Sequence, residues 1–292
     1  MTTETITPTT HTLDVPGAVL AYDIRPNDGS REPALLMIGS PMAAAGFGTL
    51  AGHFTDRTVI TYDPRGSERS QKASAASPVD PDVHADDLYR IIEAVGLGPV
   101  DVFASSGGAV NALALVSKHP QQVRMLVAHE PPLASILPDR EAAFAAIDAV
   151  ADSYRSRGWG AGMAHFIAIV GHQGPFAMDF ADQPGPDPQM FGMPAEDDGS
   201  RDDVLLGQNL ITCTHYEPDL DALRAAPTKI VMAAGAESKG ELAHRGAEAM
   251  AERLGLETVT FPSGHGGFLG GEYGQTGDPD AFAAALRAIL AS

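Results

Sequence analysis

One stretch of the chain carries a specific chemical pattern: Val102-Phe103-Ala104-Ser105-Ser106-Gly107-Gly108-Ala109. An apolar run enters a serine flanked by very small residues, and a helical pattern leaves it. This spacing suits a tight strand-to-helix turn that lifts a serine side chain above the end of a sheet, where it can attack a carbonyl carbon. The small neighbours are needed because such a turn is crowded and its central residue sits in a disfavoured backbone region. The helix N-terminus behind the turn favours negative charge. Ser106 is the nucleophile candidate rather than Ser105, because only Ser106 has glycine two places after it and a small residue two before. The commonest motif is Gly-x-Ser-x-Gly; Ala104 replaces its first glycine. A phosphate-binding loop is the competing reading, but no Walker lysine follows and the chain is acidic. A serine hydroxyl is a weak nucleophile without a base beside it, and histidine titrates near neutrality. Of ten histidines, His265 stands out in Phe261-Pro262-Ser263-Gly264-His265-Gly266-Gly267-Phe268. It follows the last apolar run, between glycines that let a loop present the ring over strand ends. His53, His119, His165 and His244 lie in or near helical patterns and read as surface or core residues.

These residues need a scaffold. Alternation over Thr12–Tyr22 suggests a first hairpin, preceded by a polar, loosely attached tail over residues 1–12. Apolar runs then recur at Ala34–Ile38, Thr58–Tyr62, Val100–Ala104, Val123–Ala128, Lys229–Ala233 and Glu257–Phe261. Runs of this length suit strands buried on both faces of a parallel sheet. Helical patterns lie between them at Val83–Val95, Gly108–Lys118, Ala243–Leu254 and Pro279–Leu290. The alternation implies an α/β class: a mostly parallel central sheet flanked by helices. No strand run appears over residues 133–218. Glu141–Ser156, Gly160–Val170 and Asp202–Cys213 read there as helices, around a long stretch rich in Gly, Pro and acidic residues. Residues 1–132 and 219–292 are therefore expected to form the core domain, and residues 133–218 a helical lid inserted over one end of the sheet.

With this order of elements the chain resembles the α/β-hydrolase fold family over nearly its full length. Tyr62-Asp63-Pro64-Arg65-Gly66-Ser67-Glu68-Arg69-Ser70 looks like the family's D-x-R-G-x-G-x-S turn. Leu36-Met37-Ile38-Gly39-Ser40-Pro41 occupies the place of its His-Gly oxyanion loop, with Ile38 where His is usual. The resemblance implies a nucleophile–acid–histidine triad and two backbone N–H groups aimed at the oxygen that becomes negative. Gly107 supplies one. On the other loop Pro41 has no N–H, so Ser40 is the candidate and Met42 the reserve. The family's usual acid position, after the run Lys229–Ala233, holds Ser238, with Glu237 just before it. The second known location is the end of the run Val123–Ala128, where the chain reads His129-Glu130-Pro131-Pro132. Glu130 is the first choice for the acid and Glu237 the alternative. The Glu130 layout is similar to that of zearalenone-hydrolase-type lactonases, which share a Ser-Ser-Gly elbow and a His-Glu-x-Pro strand end; some haloalkane dehalogenases also place their acid here.

The lid segment carries Trp159, Phe166, Phe176, Met178, Phe180, Met190, Phe191 and Met193, and such lining suits a hydrophobic small-molecule substrate. About half of these side chains are expected in the lid's own core. Met42, Leu133, Trp159 and Phe166 are the pocket candidates. The expected reaction is hydrolysis of a carboxylic ester or lactone through an acyl-enzyme. A C–C bond hydrolase or lyase on the same triad is the alternative, and a non-catalytic small-molecule receptor is the reading from another class.

Composition narrows the partners. The chain has 292 residues, 38 acidic and 19 basic, for a formal net charge of -19. Nucleic acid and anionic membrane surfaces repel such a protein, and no apolar run reaches the roughly 18 residues that span a bilayer. A single cysteine, Cys213, rules out an intrachain disulfide and agrees with a cytoplasmic location. No metal or other cofactor is expected, since no His/Asp/Glu cluster has ligand spacing. The oligomeric state stays open, with a homodimer allowed.

Overall fold

In the computed structural model, which describes residues 7–75, 77 and 79–292, the chain opens on an antiparallel pair, β1 (Thr9–Val15) and β2 (Ala18–Arg25). This corrects the expected loose tail. From Thr9 onward the chain is a strand, because β2 offers a continuous ladder from Thr9↔Ile24 to Val15↔Ala18, and threonine suits a half-exposed pleated surface. Residues 1–6 of that tail lie outside the described residues.

The apolar runs then become β3 (Leu35–Ile38), β4 (Val59–Tyr62), β6 (Val100–Ser105), β7 (Val123–His129), β8 (Lys229–Gly235) and β9 (Val259–Phe261); β5 (Gln71–Lys72) is a two-residue edge piece on β2. The sheet order is β1-β2-β4-β3-β6-β7-β8-β9. β2 pairs antiparallel with β1 and β4, and every pair from β4 to β9 is parallel. The period of two explains why these runs read as continuously apolar: alternate residues feed opposite faces. Leu36, Ile38, Val102, Ala104, Leu126 and Ala128 join one core. Leu35, Met37, Phe103, Met125 and Val127 join the other.

Helices cover both faces. On the first lie α2 (Pro81–Val95), α3 (Gly107–Lys118), α7 (Leu220–Ala225) and α8 (Leu242–Leu254); on the second lie α1 (Gly48–Gly52) and α9 (Pro279–Leu290). α2 starts two residues before the expected Val83. Asp80 accepts a hydrogen bond from the Val83 amide at 2.9 Å, and Pro81 occupies the first turn, a pairing that fixes helix starts. Gly96 closes the helix at φ 69°, a left-handed conformation that glycine adopts without strain.

Residues 133–218 add no strand. They fold as α4 (Arg140–Arg157) and α5 (Trp159–Val170), followed by short turns, a π-helical turn Leu205–Asn209 and α6 (Leu210–Thr214). The expected helix Asp202–Cys213 is thus widened at its start to π geometry. The segment has its own buried cluster, with Ile147, Val150, Tyr154, Ile169, Phe176, Leu206 and Leu210, closed against the sheet domain by Leu242 of α8. Among the described residues, no helix is long and apolar enough to cross a membrane.

One buried ion pair braces the turn after β4. Arg65 donates to both Asp87 oxygens, at 2.7 and 2.6 Å, and the two side chains are 2% and 1% exposed. Burial pushes the Asp87 carboxyl up, against the pull of Arg65. Removing one partner strands the other without compensation. Arg65→Ala is therefore expected to lower unfolding free energy by ~3–5 kcal/mol, read by chemical denaturation. A loss under ~1 kcal/mol, the range of a surface pair, would show that the pair carries little.

Candidate active site

Ser106 sits where β6 turns into α3, at φ 57° and ψ -130°. A non-glycine residue rarely holds such a conformation unless its surroundings enforce it. Here the Ser106 N–H donates to the His129 carbonyl at 3.0 Å, and the Ala109 N–H donates back to the Ser106 carbonyl at 2.9 Å. The glycines that follow are required by close approach. A Cβ on Gly107 would lie 2.5 Å from the Ser40 carbonyl oxygen, and one on Gly108 would lie 2.6 Å from that of Ile38. Ser105 is a different kind of residue: 2% exposed, with its hydroxyl 3.2 Å from His129 Nδ1.

The close approach of Gly107 to Ser40 and of Gly108 to Ile38 sets the turn at Ser106 against the loop after β3. The loop bends at a cis Ser40–Pro41 peptide bond. The Asp63 carboxylate accepts the Ala44 N–H at 3.0 Å and the Arg69 N–H at 3.1 Å. The turn read as D-x-R-G-x-G-x-S therefore fastens the loop that carries Ser40. Among the described residues no acceptor takes the Ser40 N–H, and the Gly107 N–H belongs to the first helical turn, whose donors have no partner within the helix. Ser40, Ser106 and Gly107 line one cavity. The Ser40 hydroxyl accepts a hydrogen bond from Asn209 Nδ2 at 2.8 Å, so the π-helical turn of the inserted segment touches this loop directly. π turns of this kind recur at functional sites.

His265 faces the same cavity, with its side chain 40% exposed. Its Nδ1 lies 2.6 Å from Glu130 Oε2. Glu130 is 0% exposed and holds φ 50° between His129 and Pro131. Its other oxygen accepts from the Gly235 N–H at 2.8 Å and from the Ser238 hydroxyl. Ser238, which stands where the family's acid is more usual, thus donates to the carboxylate that follows β7. Burial pushes the Glu130 carboxyl up. The hydrogen bond from His265 and the histidine charges around it outweigh that effect, helped by Ser238, and bring it down to about 2. His129, under the imidazole of His265 at 6.1 Å between ring centroids, is pushed down to about 4 by burial. Phe103, Phe261, Phe268 and Phe282 surround it, so this ring is a neutral packing element.

Glu237 is exposed, and among the described residues its carboxylate accepts only a 3.4 Å bond from Ser263 Oγ. The structure therefore brings Ser106, His265, Glu130, Ser40 and Gly107 together and leaves Glu237 outside. Glu237→Gln is expected to change kcat/KM by less than about twofold, because a solvated charge away from the Glu130–His265 pair adds little. A loss of tenfold or more would return Glu237 to the site.

Of the four expected pocket residues only Phe166 lines the cavity. Met42 turns away and packs over Gly39 and Gly46 onto the second core. Leu133 is 0% exposed within the first core. Trp159 packs in the inserted segment's cluster, with its indole N–H on Asp203 at 2.9 Å. Phe176 and Phe180 belong to that cluster too, whereas Met178 and Met190 are exposed. The cavity, about 430 Å³, is instead walled by Ile167, Ile169, Val170, Leu205, Leu210 and Leu242, among others. Sequence reasoning missed Asn209, Glu241 and Gln275 in the wall. It also set aside His244, whose Nδ1 lies 3.5 Å from Glu130 Oε1. Helical spacing alone marks such residues as one face of a helix and does not say what the face meets.

Comparison with known proteins agrees with this architecture. The profile of the alpha/beta hydrolase fold family matches residues 44–168. The chain is 30% identical over 275 residues to the uncharacterized hydrolase YraK of Bacillus subtilis (strain 168), covering 88% of this chain and 89% of that protein. Among solved structures, MGS-M2, an alpha/beta hydrolase enzyme from a Medee basin deep-sea metagenome library, matches with a TM-score of 0.68 at 14% identity, covering 97% of this chain and 98% of that one. A thermophilic esterase from Thermogutta terrifontis matches at 0.63 with 22% identity, covering 98% of each chain. At those identities the structural likeness concerns the fold alone. Sequence and structure together make the chain a hydrolase of the α/β-hydrolase fold family.

Proposed function

We propose that the protein is a serine hydrolase that cleaves a carboxylic ester or lactone of a hydrophobic small molecule through an acyl-enzyme. The observation that carries this reading is one cavity lined by Ser106, Gly107, Ser40 and His265, with Nδ1 of that histidine 2.6 Å from a buried carboxylate. A carboxylate on Nδ1 holds the imidazole with its other nitrogen free to take a proton. In the proposed cycle Ser106 Oγ bonds to the carbonyl carbon and gives its proton to His265 Nε2. The Ser40 and Gly107 N–H groups receive the developing oxyanion. The ester C–O bond breaks, and the leaving oxygen takes the proton from His265. Water then attacks the acyl-enzyme, again losing a proton to His265, and the returning proton frees Ser106 as the acid departs. The apolar wall supports a hydrophobic acyl or alcohol group, and residues 133–218 serve as the lid over it. The Glu130 acid is the layout that the likeness to zearalenone-hydrolase-type lactonases implies, and that likeness supports lactones as part of the proposed substrate range. No step calls on a metal or another cofactor.

The test is a panel of p-nitrophenyl esters and aliphatic lactones, with Ser106→Ala as control. Turnover above the control on esters with apolar acyl groups is the expected result. A folded protein that cleaves none of them, and that binds apolar esters unchanged, would be a receptor and not a hydrolase.

A further inference from the structure

The proposed cycle leaves one charged group of the cavity wall unused. Glu241 stands at the start of α8 and lines the cavity beside His265. Its backbone is committed: the Glu241 N–H donates to the Ser238 carbonyl at 3.0 Å, and the Arg245 N–H donates to the Glu241 carbonyl at 2.9 Å. Its side chain does not cap the helix. Among the described residues no hydrogen bond or lysine or arginine ion pair engages its carboxylate; His265 and His244 act on it only as neighbouring charges. Burial raises its carboxyl, and the negative charge of Glu130 raises it further, against a weaker pull from His265 and His244. A half-buried carboxylate without a hydrogen-bond partner forgoes hydration and gains no hydrogen bond from the protein in return. The remaining wall contains no lysine or arginine, and the chain carries a formal net charge of -19. Apart from the imidazole of His265, the charged side chain of the wall is thus a carboxylate, which disfavours an anion and favours a donor.

On the hydrolase reading above, we propose that Glu241 is the specificity-determining residue of the cavity: it accepts a hydrogen bond from a hydroxyl or ammonium group on the substrate and excludes substrates that carry a second carboxylate. The favoured class is an apolar ester or lactone bearing a hydrogen-bond donor. The same charge repels the carboxylate released by hydrolysis and so favours product departure.

The test uses p-nitrophenyl esters of equal length whose acyl chains end in methyl, ammonium or carboxylate, with wild type and Glu241→Gln. Each kcat/KM is referred to the methyl ester of the same variant. Wild type is expected to prefer ammonium over carboxylate by at least ~100-fold, and Glu241→Gln to bring that ratio within ~10-fold, as expected for losing one close, poorly screened charge. An unchanged ratio would overturn the proposal. A second measurement is independent of turnover: calorimetric binding of hexylammonium and of hexyl methyl ether, which offers no donor. Glu241→Gln is expected to weaken hexylammonium relative to the ether by ~10-fold or more. Equal weakening of both, or of neither, would overturn the role of Glu241 even if esters are cleaved. Normal selectivity in binding with no ester cleaved by wild type would overturn the hydrolase reading and leave Glu241 as a ligand-selecting residue.

Discussion

Ser106→Ala is expected to lower kcat/KM for any ester the protein cleaves by about five to six orders of magnitude, the scale seen when a serine nucleophile is removed from a triad. The fold should survive, because Ser106 is only partly buried and its backbone bonds to His129 and Ala109 do not involve the hydroxyl. A methyl side chain also avoids any new clash in the strained turn. Ser105→Ala makes the matched control. It removes a buried contact with His129 Nδ1 at 3.2 Å, which is worth about 1 kcal/mol of stability, and leaves the attacking oxygen in place. Steady-state kinetics on both variants, with matching circular dichroism spectra, separate the two serines. Equal losses would mean that the turn acts through its packing and not through Ser106 Oγ.

Glu130→Gln is the second large effect, a drop in kcat of about 10⁴-fold. The carboxylate accepts at both oxygens: His265 Nδ1 on one, the Gly235 N–H and Ser238 hydroxyl on the other. An amide can satisfy only one of those sides as an acceptor. If its NH₂ faces His265, it fixes the tautomer with Nε2 protonated, which cannot take the proton of Ser106, and it cannot balance imidazolium charge in the transition state. The same residue links activity to acid stability. Its carboxyl is brought from the usual 4.5 to about 2 in the folded protein. A group depressed in the folded state stabilises above its unfolded pKa and loses that contribution as pH falls through the folded one. Glu130 therefore contributes on the order of 3 kcal/mol above about pH 4.5, lost progressively toward pH 2. The Gln variant should lose this pH dependence, measured as the difference in unfolding free energy between pH 6 and pH 3. Retention of wild-type turnover by Glu130→Gln would remove Glu130 from the triad.

Much of this arrangement was legible in the residues. The strand runs, the elbow and the histidine loop are local signals: a buried strand is apolar over its length, and a crowded turn restricts itself to Gly, Ala and Ser. Pro131 and Pro132 marked the end of β7 and with it Glu130. Other features depended on distance. The ladder of β1 on β2 turns a polar Thr-rich stretch into an edge strand, and its own composition reads as tail. Trp159 reads as pocket lining by chemistry, but Asp203 holds its indole in the inserted segment's own cluster. Met42 follows the loop that carries Ser40, and its flexible side chain folds back over the two small residues Gly39 and Gly46. Asn209 and Glu241 lie far from Ser106 in the chain and reach the cavity only because the inserted segment and α8 close on it. No periodicity announces such residues, and a side chain's role at a wall is set by what stands opposite.

The proposal of an acyl-enzyme on Ser106 is tested most directly by labelling with a fluorophosphonate, followed by peptide mass spectrometry with fragmentation across the Ser105-Ser106 bond. The predicted result is a single adduct on Ser106 with concurrent loss of ester hydrolysis, its formation slowed by orders of magnitude in His265→Ala and absent in Ser106→Ala. An adduct on Ser105 or another residue, or ester hydrolysis that persists in fully labelled protein, would contradict it.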